Sequence, residues 1–200
     1  MSAPGVLAGF IRLLSGARVL RAEDLPDGPA VFFANHSSHL DFVVIWAALP
    51  PEQRNRTRPV AGRDYWEKTR LRRWLAERVF HAVLIERQKV TVASNPMEAM
   101  MAALDAGSSL IVFPEGTRSL DGTIHDFKAG LYHLAKGRPG IPLIPTYLEN
   151  LNRVLPKGEV IAVPLISSVK MGATVRLLEG EAKPAFLIRA RDAVLDLTRR

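Results

Sequence analysis

Residues 30–49 read AVFFANHSSHLDFVVIWAAL. A five-residue apolar run, aromatic and β-branched at its centre, gives way to a polar turn. A second apolar stretch follows. The first run is too short for a typical helix and has the composition of a buried strand. Ser38 with Asp41 three residues on is a helix-start signature, and FVVIWAAL continues it as helix. The stretch therefore reads as one strand–turn–helix unit with its polar residues at the strand's carboxyl end.

Three more short apolar runs repeat the pattern: HAVLIE (81–86), SLIVF (109–113) and IPLIPTYL (141–148). Helical stretches lie between them. YWEKTRLRRWLAERVF precedes the second run. PMEAMMAALDAG (96–107) precedes the third, with Pro96 suited to a helix start and Gly107 to its end. DFKAGLYHLAKG follows it. Later, VIAVPLISS and ATVRLLEG read as one or two further strands. PAFLIRARDAVLDLTRR reads as a terminal helix from Pro184. Strands alternating with helices predict a single α/β domain with a largely parallel mixed sheet flanked by helices.

The N-terminal stretch GVLAGFIRLLSGARVL places Val6, Phe10, Leu13, Leu14 and Ala17 near one helical face. We expect an amphipathic helix over 1–22, lying in a lipid interface or packed on the core, and the α/β domain over 23–200. The longest run without Lys, Arg, Asp or Glu is 28–40, shorter than the ~18 residues of a membrane-spanning helix. No transmembrane helix is expected.

Cysteine is absent. That excludes disulfides, thiolate metal sites and a cysteine nucleophile. The formal net charge is +7, and the window from Arg54 to Arg78 holds nine Lys/Arg against three acids. Tyr65, Trp66 and Trp74 sit among them. A basic window with aromatics suits an anionic surface, membrane or nucleic acid, and also describes a solvated helix.

The chemistry sits where the apolar runs end. In open α/β sheets, sites form outside the carboxyl ends of strands. The first run leads into Asn35-His36-Ser37-Ser38-His39-Leu40-Asp41, the second into Arg87, and the third into Pro114-Glu115-Gly116-Thr117-Arg118-Ser119. His36 and Asp41 would diverge by about 140° on one continuous helix. They meet only if His36 lies in the turn and Asp41 in the first helical turn. A carboxylate on one imidazole nitrogen would then leave the other free to take a proton. Asp41 as a simple cap, and His36, His39 and Asp41 as metal ligands, are the competing readings.

FPEGTRS reads as an anion site. Gly116 admits close backbone approach, Thr117 and Ser119 offer hydroxyls, and Arg118 offers a planar fork for phosphate. Glu115, which would repel phosphate, is expected to hold an arginine or a ligand hydroxyl. Arg87 and Lys128 could add cations to the same crevice.

Together these motifs resemble the glycerolipid acyltransferase family, and within it the 1-acyl-glycerol-3-phosphate acyltransferases. NHSSHLD resembles the family's His-x4-Asp block, VLIERQ (83–88) its second block through Arg87, FPEGTRS its third and IPLIPTYL its fourth; FKAG (127–130) also has the family's look. The stretch HAVLIER lacks the glycine and aromatic that often precede the second block's arginine.

The resemblance implies a glycerol-3-phosphate acyltransferase-like fold. It implies direct acyl transfer from acyl-CoA or acyl carrier protein to the free hydroxyl of a lysophospholipid, with no cofactor and no metal. His36 and Asp41 would be catalytic. Arg87, Glu115, Gly116, Thr117, Arg118 and Lys128 would bind substrate. The expected partners are the lysolipid acceptor, the thioester donor and an anionic membrane surface, not nucleic acid. The expected location is peripheral or monotopic on the cytoplasmic face of a membrane. An amino-acid lipid or a glycolipid is the alternative acceptor. A metal-dependent hydrolase or a basic binding module is the alternative class.

Overall fold

In a computed structural model of the chain, the described residues are 5–6, 9, 11, 18–21, 25–38, 41–86, 95–119, 121–149 and 168–199. Four strands fall on the four apolar runs: β2 (Val31–Ala34), β4 (Val83–Ile85), β5 (Ser109–Val112) and β6 (Leu143–Glu149). Three more are β1 (Arg18–Arg21), β3 (Thr57–Gly62) and β7 (Ser168–Met171). They form one seven-stranded sheet in the order β1-β7-β6-β2-β5-β3-β4. Every neighbouring pair is parallel except β6 with β7.

Burial on both faces explains why β2 is apolar at every position. Side chains alternate across a strand. Phe32 and Ala34 join the core beneath α1 (Asp41–Ala48), with Ile45, Trp46 and Phe80. Val31 and Phe33 face the other way, into a core built with α5 (Pro96–Asp105), α6 (Gly130–Gly137) and α7 (Lys183–Leu195). Phe186 of α7 is fully buried there and meets Tyr132 edge-on, with ring centroids 5.9 Å apart.

The start of α5 is as expected: Pro96 occupies the first turn and the Asn95 side chain accepts from the Met97 N–H at 3.0 Å. Gly107 has a φ of +81°, a left-handed backbone that suits glycine after a helix end. α7 begins one residue before Pro184.

Four expectations are corrected. Residues 18–21 are an edge strand paired with β7, so a helix cannot run through to residue 22. Gly5, Val6, Gly9 and Ile11 are helical, and the rest of 1–17 lies outside the described residues. The basic window is not one element. It comprises α2 (Pro51–Arg56), β3, α3 (Arg63–Trp66), α4 (Arg70–Trp74) and a π-helical turn (Leu75–Val79). Thr69 breaks the expected long helix, because its side chain accepts from the Arg72 N–H and caps α4. ATVRLLEG contributes only a bridge between Val175 and Leu143, while 160–167 lie outside the described residues.

β3 escaped the sequence reading because of its charges and breakers. It pairs with β5 over Thr57–Pro59 and with β4 over Val60–Gly62. Pro59, which has no N–H, sits where the strand passes from one partner to the other.

Phe186→Ala is expected to lower unfolding stability by about 3–5 kcal/mol through loss of apolar burial and a residual cavity. Urea denaturation should show a lower midpoint with an unchanged slope. A midpoint within error of the wild type would contradict the packing of α7 on the sheet.

Candidate functional site

β2, β3, β4 and β5 are mutually parallel, so their carboxyl ends lie along one edge of the sheet. A cavity of about 470 Å³ opens there. Its floor is apolar, with Val60, Ile85, Val112, Met100, Leu131 and Leu134 among its residues. Its polar wall holds His36, Gly116, Thr117, Arg118 and Lys128. Two clusters some 80 residues apart in sequence thus face one space.

The turn after β2 wraps around a carboxylate. Asp41 begins α1 and is fully buried. Its Oδ2 lies 2.8 Å from Nδ1 of His36. The same oxygen accepts the backbone N–H of Ser37 at 2.7 Å and of Ser38 at 2.9 Å. An oxygen that already accepts two N–H groups can only accept from the third partner. His36 therefore carries its proton on Nδ1, which leaves Nε2 as the basic nitrogen. The contact from Asp41 to the Ser38 N–H is also the returning half of the expected capping box.

The His36 ring stacks on Phe113, with centroids 4.2 Å apart and planes at 17°. Phe113 is a site residue that the sequence did not single out, because it closes the SLIVF run and reads as the strand's last residue. The strand ends at Val112, and the Phe113 ring fixes the plane of the imidazole.

Glu115 is not where the sequence reading placed it. Among the described residues it is not part of the cavity lining, and no arginine pairs with its carboxylate. Its buried carboxylate joins two backbone segments: Oε1 accepts the His36 N–H at 2.8 Å and Oε2 the His125 N–H at 3.0 Å. Burial pushes its carboxyl above the usual value, partly offset by these two bonds. The Ser119 N–H donates to the His36 carbonyl at 2.7 Å, and the Lys128 N–H to the Pro114 carbonyl at 2.9 Å. The His36 turn, the FPEGTRS turn and the 123–128 segment are thereby stitched together around Glu115.

Gly116 has a φ of +72°, and a Cβ there would lie 2.6 Å from Nζ of Lys128. The left-handed backbone favours glycine, and any larger residue would also displace the Lys128 side chain. Arg118 and Lys128 have no ion-pair partner among the described residues, and both line the cavity, with Lys68 and Asp64 elsewhere on its lining. Arg87 and His39 lie outside the described residues. Among those described, no group of three His, Asp or Glu side chains could hold a metal ion.

A parallel α/β sheet with a His–Asp pair and two cations at its carboxyl edge defines a class of enzyme-like site. Comparison with known proteins identifies the family. The sequence model described as Acyltransferase matches residues 16–149, more than half of the chain, and the chain belongs to that family. The 1-acyl-sn-glycerol-3-phosphate acyltransferase of Limnanthes alba is 28% identical over 171 residues, which cover 82% of this chain and 57% of that protein. The alpha form from Mus musculus is 33% identical over 137 residues, covering 67% of this chain and 45% of that protein. The chain spans about half the length of the curated relatives it matches. The solved 1-acyl-sn-glycerophosphate (LPA) acyltransferase PlsC from Thermotoga maritima shares the fold, with a TM-score of 0.73 at 22% identity over 98% of this chain and 79% of that one.

The raised carboxyl of Glu115 has a pH signature. A carboxyl with a folded-state pKa above its unfolded value of about 4.3 adds stability below that value and loses it as pH rises through the folded one. Glu115→Gln cannot titrate. The unfolding free energy of the wild type should therefore fall relative to this variant as pH rises from acid toward neutral. Urea titrations across pH that gave parallel curves would show that Glu115 does not carry this shift.

Proposed function

We propose that the protein transfers a fatty acyl chain from a thioester, acyl-CoA or acyl carrier protein, to the free hydroxyl of a lysophospholipid, namely 1-acylglycerol-3-phosphate. The observation that carries this reading is the His36–Asp41 pair on the wall of the cavity that also holds Arg118 and Lys128. The His36 ring is hydrogen-bonded to Asp41 and, among the described residues, to no serine or threonine hydroxyl, which suits direct transfer between two bound substrates. Two unpaired cations suit a phosphate monoester, and the apolar floor suits acyl chains. The names of the relatives support the same acceptor.

In this mechanism Nε2 of His36 takes the proton of the acceptor hydroxyl. The oxygen attacks the thioester carbonyl, and a tetrahedral intermediate forms. Its collapse breaks the carbon–sulfur bond. The leaving thiolate takes the proton back from the imidazolium, so the enzyme returns to its starting state. Asp41 holds the ring in place and stabilises the imidazolium while it exists. Phe113 and Glu115 act on position alone, the first on the ring plane and the second on the backbone of His36.

Thiol release from acyl-CoA in the presence of lysophosphatidic acid should fall by about 10²–10⁴-fold in His36→Ala, with circular dichroism unchanged. Wild-type rates would remove His36 from the chemistry. Arg118→Ala should raise the KM for the acceptor by about tenfold or more while leaving the donor KM nearly unchanged. A selective rise in donor KM would instead place the thioester's phosphates on Arg118.

A further inference from the structure

We infer that the α4 face carrying Leu71 and Trp74 docks on an anionic lipid bilayer beside the mouth of the cavity. Leu71 and Trp74 are three residues apart and share one side of the helix. They are 66% and 54% exposed, where a surface helix in water would carry polar groups. Single exposed apolar residues need no explanation, but a leucine and a tryptophan one turn apart among arginines form an amphipathic interface pattern. Tryptophan suits the boundary between headgroups and acyl chains, because its ring is apolar and its N–H is not.

Charge complementarity sets the kind of surface. Arg70 and Arg73 flank the pair on α4, and Lys68 lies just before it; all three are exposed. Arg73 is partly compensated by Glu77 at 2.8 Å. Lys68 and Arg70 have no ion-pair partner among the described residues. Cations at that height gain from anionic headgroups within a screening length.

The patch is continuous with the cavity. The guanidinium of Arg72 lies 4.4 Å from the centre of the Tyr65 ring, which ties α4 to α3. Tyr65, Trp66 and Lys68 line the cavity, with Lys68 exposed to solvent, and Trp66 packs edge-on against core residue Phe42. A bilayer held by α4 would therefore lie next to the opening through which a lipid must pass. The inference deepens the acyltransfer reading and rests on it for its purpose. The surface itself is testable without turnover.

The test is sedimentation of the protein with phosphatidylglycerol-containing and pure phosphatidylcholine vesicles, with no substrate present. Binding should be selective for the anionic vesicles and weaken in high salt. The Leu71→Glu, Trp74→Glu double variant should lose at least about tenfold in affinity. Its thiol release with monomeric short-chain substrates, without vesicles, should stay at the wild-type level. Bromolipids should quench a tryptophan component that disappears in Trp74→Phe, a variant that still binds. Wild-type binding by the double variant, or the same quenching in Trp74→Phe, would overturn the inference. So would an acidic acyl carrier protein that binds this face in place of the vesicles. Loss of turnover in His36→Ala with vesicle binding intact separates this question from the chemistry.

Discussion

The site depends on a carboxylate with no contact with water. Asp41 is fully buried, and burying an ionised group costs several kcal/mol unless hydrogen bonds replace its hydration. Oδ2 collects three donors, the His36 ring and the N–H groups of Ser37 and Ser38. Bonds to a charged acceptor contribute about 1.5–3 kcal/mol each. Asp41 also opens α1, where the helix dipole favours negative charge. Its Oδ1 has no hydrogen-bond partner among the described residues, so the charge is balanced from one side only, the side that holds His36. The need to satisfy this carboxylate folds the turn, and the folded turn sets the imidazole's tautomer.

The rest of the fold brings cationic side chains to that imidazole. Parallel strands put their carboxyl ends on one edge, so β2 and β5 deliver the His36 and Arg118 turns side by side. Glu115 then locks one turn to the other through backbone N–H groups. Among the described residues, the carboxylate that the sequence offers as a ligand group accepts backbone N–H groups with both of its oxygens. Asn35 performs the same task toward β6, exchanging two hydrogen bonds with the Leu148 backbone at 2.8 and 3.1 Å.

Much of this was legible in the residues, for definable reasons. β2, β5 and β6 are covered on both faces and so read as unbroken apolar runs, and their ends marked the site. β1 and β3 carry arginines and, in β3, proline and glycine, so periodicity did not expose them. The basic window read as one patch because a linear count cannot see β3 dividing it. Arg54 is buried against Trp46, and Arg56 donates to the Asp27 carbonyl. A six-residue strand of roughly 20 Å carries the chain from there to the cavity side. Spacing alone left the His36–Asp41 meeting open, since it depends on a turn whose shape follows from hydrogen bonds no sequence pattern displays. The direction of the Glu115 side chain was hidden for the same reason.

The central claim is that Asp41 holds His36 with its proton on Nδ1 and its basic Nε2 toward the cavity. Nitrogen-15 NMR of imidazole-labelled protein near neutral pH reads this directly. The account predicts a pyrrole-type Nδ1 and a pyridine-type Nε2 for His36, with that preference reduced in Asp41→Asn. A His36 carrying its proton on Nε2 in the wild type, or one whose tautomer ignores the loss of the carboxylate, would contradict it.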